Sequence, residues 1–373
     1  MKIAYLTQSV DHVSGLGRIV AAIGSHMITR GHEVSCVSQV CEEPRMQWLR
    51  IPRSHLSNGL DKILYRAFEP GMTRKVNAQV SHSMGVGWSA DVVSAQSCHR
   101  AGMEMRNTLP ANRIKRRNLG LYDRLSLADE SRLMSSKSTR VIVAVSELVR
   151  NQLIHWYGIP QQKIVVIPNG IDTKKYAEPI DRDRVRTRFR IQHETTALGF
   201  LGNEFDRKGV QTIIEALPAL RDLPVHLFVA GGDDSWPFQR LAEKLGVAQQ
   251  VHFMGRITFP EEFLRVIDLF VFPVVYEPFG MVVIEAMAAG TPVITTESVG
   301  AVEGMTNGRE GVFLQDPHSA QELSGAIRTV CEDRELRESL SQAGRLAAQK
   351  FEWGAIGSTV EQVYQRVLAE KDL

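Results

Sequence analysis

Cysteine is scarce in this 373-residue chain, which holds only Cys36, Cys41, Cys98 and Cys331. They are scattered, with no CxxC pair and no zinc-like spacing, so neither a disulfide framework nor a common structural zinc motif organises the fold. Long apolar runs are missing too. None approaches the roughly 18 to 20 residues a membrane-spanning helix needs, so any membrane association is expected to be peripheral. The chain enters an apolar strand with no signal-peptide layout, and the cytoplasm is the expected compartment. Tandem repeats and low-complexity tracts are absent. The dinucleotide fingerprint GxGxxG is incomplete as well, because Gly15 and Gly17 are followed by Val at position 20.

What remains is ordinary globular material, 43% hydrophobic and 23% charged. The length exceeds what one core usually serves, and two domains are expected, 1–168 and 169–351. The net charge of +2 hides an asymmetry: residues 1–168 carry 22 Lys+Arg against 12 Asp+Glu, and residues 169–373 carry 22 against 30. A basic first half suggests an anionic partner, such as a phosphorylated glycan or an acidic membrane surface. Nucleic acid is not expected, because the basic residues lack interleaved aromatics and any recognition motif.

Apolar strands alternate with helical segments. "MKIAYL" leads through a glycine turn into a periodic helix ending near Gly31 and then a second strand, a β-loop-α-β unit, and further strands are expected at 91–96, 140–146 and 163–170. A second series follows at 197–202, 225–232, 251–255, 269–274, 292–296 and 311–315. The fold class is therefore α/β: two facing Rossmann-like, doubly wound parallel-sheet domains with a cleft between them. Such sheets bind ligands beyond the carboxyl ends of their strands, and chemistry is sought in the loops there.

The segment "EPFGMVVIEAMAAGTPVI" (277–294) carries two acids eight positions apart, Glu277 and Glu285, on either side of a helix start near Gly280. The separation of roughly 10 Å or more is too wide for a close carboxylate pair. It suits one extended ligand, two hydroxyl-bearing rings joined by a dianion, with helix N–H groups facing the anion. Arg207 and Lys208 in "GNEFDRKG" offer the cations such a ligand needs. Ser14-Gly15-Leu16-Gly17 after the first strand reads equally as a tight turn or a ligand loop. Gln96, Ser97 and His99 end another strand, and His99 is a candidate to hold a hydroxyl or carry a proton. Arg113, Lys115, Arg116 and Arg117, followed by Leu119, Leu121, Tyr122, Leu125, Leu127 and Leu133, fit either an interfacial helix on an acidic membrane or a packed helix with one solvated face.

Taken together, "VSELVRNQLIHWYGIPQQKIVVIPNGID", "GNEFDRKG" and "EPFGMVVIEAMAAGTPVI" resemble the retaining glycosyltransferases of the GT-B fold, family 4, in the right order and over essentially the whole chain. The resemblance implies a hexosyltransferase moving sugar from a nucleotide diphosphate sugar, with a UDP-linked donor as the first expectation, to a glycolipid or glycan acceptor in lipopolysaccharide or cell-envelope biosynthesis, and a last helix over about 352–373 that crosses back to the first domain. It implies that Glu277 meets the transferred sugar, and that the backbone of Gly280, Met281 and Val282 approaches sugar and phosphates. Glu285 would hold the ribose, Arg207 and Lys208 the diphosphate, and Arg256 with Ile257 the base. Gly15 and Gly17 would close over the diphosphate. Asn203 stands where many members have arginine, and Gln96 where many have histidine. No cofactor is implied. Asp233-Asp234 has no supporting ligands, so catalysis without a metal is expected. The competing readings are an NAD-dependent oxidoreductase, a sugar-nucleotide epimerase of the same architecture, and a silent nucleotide-sugar-binding protein.

Overall fold

The computed structural model describes residues 1–12, 14–88, 90–107, 113 and 120–371. It divides into two compact units: Met1–Glu104, Arg117–Gly170 and Trp353–Leu373 form the first, and Met105–Arg116 with Ile171–Glu352 the second.

The first unit contains strands β1 (Lys2–Leu6), β2 (Ser9–Val10), β3 (Glu33–Ser38), β4 (Val40–Cys41), β5 (Gln47–Arg50), β6 (Val80–Ser83), β7 (Val92–Ala95), β8 (Val141–Ala144) and β9 (Ile164–Val166). Its helices are α1 (Gly15–Thr29), α2 (Asn58–Thr73), α3 (His99–Asn107, which runs on into the second unit), α4 (Leu121–Ser135) and α5 (Glu147–Tyr157). The described strands form a parallel sheet in the order β5-β3-β1-β6-β7-β8-β9, with β2 and β4 paired separately. Runs such as Val92–Ala95 and Val141–Ala144 are buried at every position, as a parallel strand covered by helices on both faces requires.

Apart from the two-residue pair β2 and β4, two strands carry no clear apolar signal in the sequence, β5 and β6. In "VSHS" the buried surface is polar, and hydrogen bonds replace apolar burial. The hydroxyl of Tyr364, on the C-terminal helix Trp353–Lys371, donates to Tyr5 Oη at 3.0 Å. His82 Nδ1 lies 2.6 Å from the same Tyr364 hydroxyl, and its Nε2 lies 2.8 Å from Ser94 Oγ. Complete burial pushes the His82 imidazole down to about 3, so it stays neutral. This chain of four polar groups ties the last helix into the first sheet.

The second unit contains α6 (Thr173–Ala177), α7 (Arg182–Arg188), β10 (Thr196–Leu201), α8 (Val210–Ala216), β11 (Val225–Ala230), α9 (Trp236–Lys244), β12 (Val251–Gly255), α10 (Pro260–Val266), β13 (Leu269–Val271), α11 (Met281–Ala289), β14 (Val293–Thr296), β15 (Val312–Leu314), α12 (Ala320–Glu332) and α13 (Arg334–Ala348). Its parallel sheet runs β12-β11-β10-β13-β14-β15. The chain lays down β10, β11 and β12 toward one edge, then returns to the other side of β10 with β13, β14 and β15. Its direction therefore reverses between β10 and β13, and the crevice at such a switch point is where an open α/β sheet receives a ligand.

Candidate functional site

Two loops flank that switch point, residues 202–209 after β10 and 272–280 after β13. They are joined directly: Val275 N–H donates to the Arg207 carbonyl at 3.0 Å, and the Arg207 guanidinium donates to the Tyr276 carbonyl. The first loop is anchored by Phe205, buried against Phe200 and Phe238, whose N–H is accepted by Asp233 at 3.0 Å. The second is pinned by Glu277 N–H to the Ser298 carbonyl and by Gly300 N–H to the Glu277 carbonyl, each at 3.1 Å. Side chains on both loops are thus held on a fixed scaffold.

Arg207 and Lys208 converge on one carboxylate. Glu277 Oε2 lies 3.3 Å from the Arg207 guanidinium and 3.5 Å from Lys208 Nζ. Arg207 Nε also donates to Glu204 at 2.7 Å, and Arg106, in the last turn of α3, reaches the same Glu204 oxygen at 2.9 Å. Burial works against the Glu204 charge, but Arg207, Arg106 and Lys208 outweigh it and hold the carboxyl down to about 2. Burial likewise opposes the Arg207 charge, and Glu277 with Glu204 raises its pKa above the ordinary value. In this cluster Arg207, Lys208 and Arg106 face the carboxylates of Glu277 and Glu204.

Helix α11 begins immediately beyond this cluster. Its first residue follows Gly280, which adopts φ 89° and ψ 56°, and no side chain caps it. A Cβ at position 280 would lie 2.7 Å from Val299 Cγ1, so only glycine fits both the left-handed backbone and the space. Val283 N–H donates to the Gly280 carbonyl at 2.9 Å, and the Met281 and Val282 amides ahead of it lie at the positive end of the helix dipole. Glu285 sits in the middle of the same helix and is 4% exposed. The helix stops at Gly290, as its Gly-Thr-Pro sequence suggests.

The remaining expected residues fall in several places. Asn203 Oδ1 accepts the Gly232 N–H at 2.8 Å, so this amide holds the turn after β11, and the Arg256 side chain lies over that glycine. Ile257 follows Arg256 in the turn after β12 and is half-buried. Gly15 and Gly17 lie in the first unit and form the first turn of α1 instead of a free loop. The correction has a steric cause: Ser14 Oγ accepts the Gly17 N–H, and a Cβ on Gly17 would lie 2.5 Å from the Asp11 carboxyl. His99, also in the first unit, opens α3, with Nε2 3.7 Å from Asp123 Oδ1 and its N–H bound to Glu130 at 2.6 Å. Gln96 accepts from Asn169 at 2.8 Å. Of the basic cluster only Arg113 lies within the described residues. It is no solvated cation, being 7% exposed and bound to Glu215 at 3.0 Å and the His318 carbonyl at 2.8 Å. Lys115, Arg116, Arg117 and Leu119 lie outside the described residues.

Sequence reasoning missed Glu204. Its signal was an acid three positions before Arg207, in the loop directly after a strand-ending glycine. Among the described residues no group of three or more His, Cys, Asp and Glu side chains is placed to hold a metal ion.

Two parallel-sheet units, with a cationic switch point and an uncapped helix in the second, form a scaffold suited to an anionic ligand, and family matching gives the class. Residues 13–175 match the model described as Glycosyltransferase Family 4, and residues 181–347 the model described as Glycosyl transferases group 1. The chain belongs to the glycosyltransferases of the GT-B fold, and it is a transferase enzyme. One curated relative is the lipopolysaccharide glucosyltransferase WaaG of Escherichia coli K12, 27% identical over 360 residues that cover 92% of this chain and 93% of WaaG. The crystal structure of WaaG, a glycosyltransferase involved in lipopolysaccharide biosynthesis, superposes with a TM-score of 0.81 at 25% identity, covering 97% of this chain and 99% of that one. Anabaena HepE in complex with UDP-glucose shares the fold, with a TM-score of 0.74 at 18% identity over 98% of this chain and all of HepE.

Proposed function

We propose that the chain is a retaining hexosyltransferase that moves a sugar, glucose or a close relative, from a UDP-linked donor to a glycolipid or glycan acceptor of the cell envelope. The observation that carries the reading is the convergence of Arg207 and Lys208 on Glu277, directly ahead of the uncapped start of α11. In this reading the donor diphosphate takes the cations, and Glu277, released from them, turns to the transferred sugar. Backbone N–H groups of Met281 and Val282 meet the phosphates. Glu285 holds the ribose, and the turn at Arg256 and Ile257 meets the base.

Departure of the nucleoside diphosphate breaks the anomeric carbon–oxygen bond, and the electron pair leaves with the phosphate oxygen. Arg207, Lys208 and the helix dipole stabilise that growing charge, so no metal or other cofactor is needed. The acceptor hydroxyl attacks from the same face, and its proton passes to the departing phosphate oxygen beside it. A trapped glycosyl-enzyme adduct would replace this ion-pair route with a covalent one. His99 is assigned to the acceptor side, with the first unit.

An anionic glycolipid acceptor suits the basic first unit. There Leu56, just ahead of α2, is 82% exposed and Leu121, which opens α4, 52%, and Leu60 and Ile63 of α2 and Tyr122 of α4 give this surface further apolar side chains in the open. We place this surface against the acidic face of a membrane. No helix of the described residues is long and apolar enough to cross one.

A panel of UDP-, GDP- and ADP-sugars tested by calorimetry and by nucleoside diphosphate release checks the donor reading. At least one should bind and turn over with acceptor, and silence across the panel would end it. Product analysis without acceptor separates a transferase from an epimerase. Flotation with anionic vesicles at low and high salt tests the membrane, where no binding at low salt removes it.

A further inference from the structure

The fold brings together two of the four cysteines that look scattered in the sequence. Cys36 on β3 and Cys41 on β4 are both free thiols, and their Sγ atoms lie 3.2 Å apart. A disulfide bond is about 2.05 Å long, so closure requires the sulfurs to move together by only about 1.2 Å. The environments of the two differ. Cys36 is fully buried, and burial followed by the Cys41 contact raises its thiol far above the ordinary value, so it stays protonated at neutral pH. Cys41 is half-buried, and its thiol donates to the Glu43 carbonyl at 3.6 Å. A more accessible sulfur thus has a buried partner already in contact, the arrangement of an attacking and a resolving cysteine.

We propose that Cys36 and Cys41 form a reversible redox modification site, closed to a disulfide by a hydroperoxide. The Cys41 sulfur attacks one peroxide oxygen. The O–O bond breaks, the leaving oxygen takes the thiol proton and departs as alcohol or water, and Cys41 becomes a sulfenic acid. The Cys36 sulfur then attacks that sulfur, the S–OH bond breaks, and the hydroxyl leaves as water with the Cys36 proton. Two thiols and one hydroperoxide yield one disulfide, one alcohol and one water, with two electrons passing from sulfur to the O–O bond.

The site is placed to act on its surroundings. β4 pairs with β2 through Ser9 with Val40 and Val10 with Cys41. Glu42 N–H donates to the Val10 carbonyl at 2.8 Å, and the Glu42 carboxylate accepts the His12 N–H at 3.2 Å. β2 leads into Asp11, whose carboxylate holds the Ser14 N–H at 2.5 Å and its hydroxyl at 2.8 Å, and Ser14 in turn caps Gly17. A pull on Cys41 therefore reaches the first turn of α1 through a short chain of hydrogen bonds. The consequence for turnover rests on the expectation, drawn from the family resemblance, that Gly15 and Gly17 approach the donor diphosphate from the first turn of α1.

The test treats the full-length protein with hydrogen peroxide and maps its peptides without reduction. We expect a linked 36–41 species that dithiothreitol reverses. Cys41→Ser should abolish it, and Cys36→Ser should leave Cys41 as a sulfenic acid that dimedone traps, with unchanged melting confirming that both variants fold. Maps in which Cys41 stays unmodified, or passes to sulfinic acid without ever linking to Cys36, overturn the proposal. Transfer by the oxidised wild type should fall several-fold and recover on reduction, while Cys41→Ser is insensitive. A disulfide that forms without changing the rate refutes the coupling to α1 and leaves the modification site standing. Should no donor turn over at all, the peptide maps still decide the disulfide.

Discussion

Replacing Lys208 with Gln tests the cationic switch point with little structural noise. In the resting protein Lys208 makes one ion pair, to Glu277 at 3.5 Å, and Glu277 keeps its contact with Arg207 when the lysine is gone. The stability cost is therefore about 1 kcal/mol or less. The cost to catalysis is larger. A unit charge about 4 Å from a phosphate oxygen contributes roughly 4 kcal/mol at an effective dielectric near 20. Removing one preorganised group that stabilises developing charge costs about 100- to 1,000-fold in rate, or about 2.7 to 4 kcal/mol. Nucleoside diphosphate release, followed over a range of donor concentrations, should show kcat reduced by that factor and KM raised less. Lys208→Arg should recover part of the rate, because it restores the charge on a broader head. Melting should move little in either variant. If Lys208→Gln keeps kcat/KM within about threefold of wild type while folded, the diphosphate is not stabilised here and the assignment fails.

Glu277→Gln removes the carboxylate that occupies both cations, so calorimetry should find nucleoside diphosphate bound as tightly or more tightly while transfer slows by about 100-fold or more. Equal loss of binding and turnover would argue against an exchange of partners. Gly280→Ala forces a Cβ toward Val299 at 2.7 Å on a φ of 89°, and should cost about 1 to 3 kcal/mol in denaturant unfolding and disturb the helix mouth. His82 is depressed to about 3 when folded and titrates near 6.5 when unfolded, so the unfolded state binds the extra proton. The first unit should then lose about 1.4 kcal/mol per pH unit as pH falls below 6.5, and in His82→Gln this acid limb should flatten. Tyr364→Phe, which removes the hydroxyl shared by His82 and Tyr5, should cost about 1 to 3 kcal/mol of stability with kcat for transfer unchanged.

Local periodicity carried much of the fold. Strands such as Val141–Ala144 and Val225–Ala230 are continuous apolar runs between glycine-rich turns, and the helix 281–289 is bounded by glycines at both ends. Where burial is polar the pattern fell silent. "VSHS" gave no strand signal because His82 and Ser83 are inside by hydrogen bonding. Gln47–Arg50 is a mostly exposed edge strand with little apolar contrast, and it went unread for the opposite reason. In the site, Arg207, Lys208, Glu277 and Gly280 could be named from residue type and position after strands. Glu204 stood in the same loop three positions before Arg207, but its weight lies in cations that reach it from Arg207 and, almost a hundred residues away, from Arg106, which the sequence does not bring together.

By itself the sequence determined the two α/β series, the glycine-bounded helix and the types of side chain available to an anion, because these depend on neighbours within a few residues. Tertiary structure decided what those side chains do. Only the order β12-β11-β10-β13-β14-β15 brings the loops after β10 and β13 to one crevice, so that cations at 207 and 208 share the carboxylate at 277. The same step turned two scattered cysteines into a contact of 3.2 Å. Charge and sulfur act through space over a few ångströms, and distances across strands are set by sheet pairing, which no local pattern of residues records.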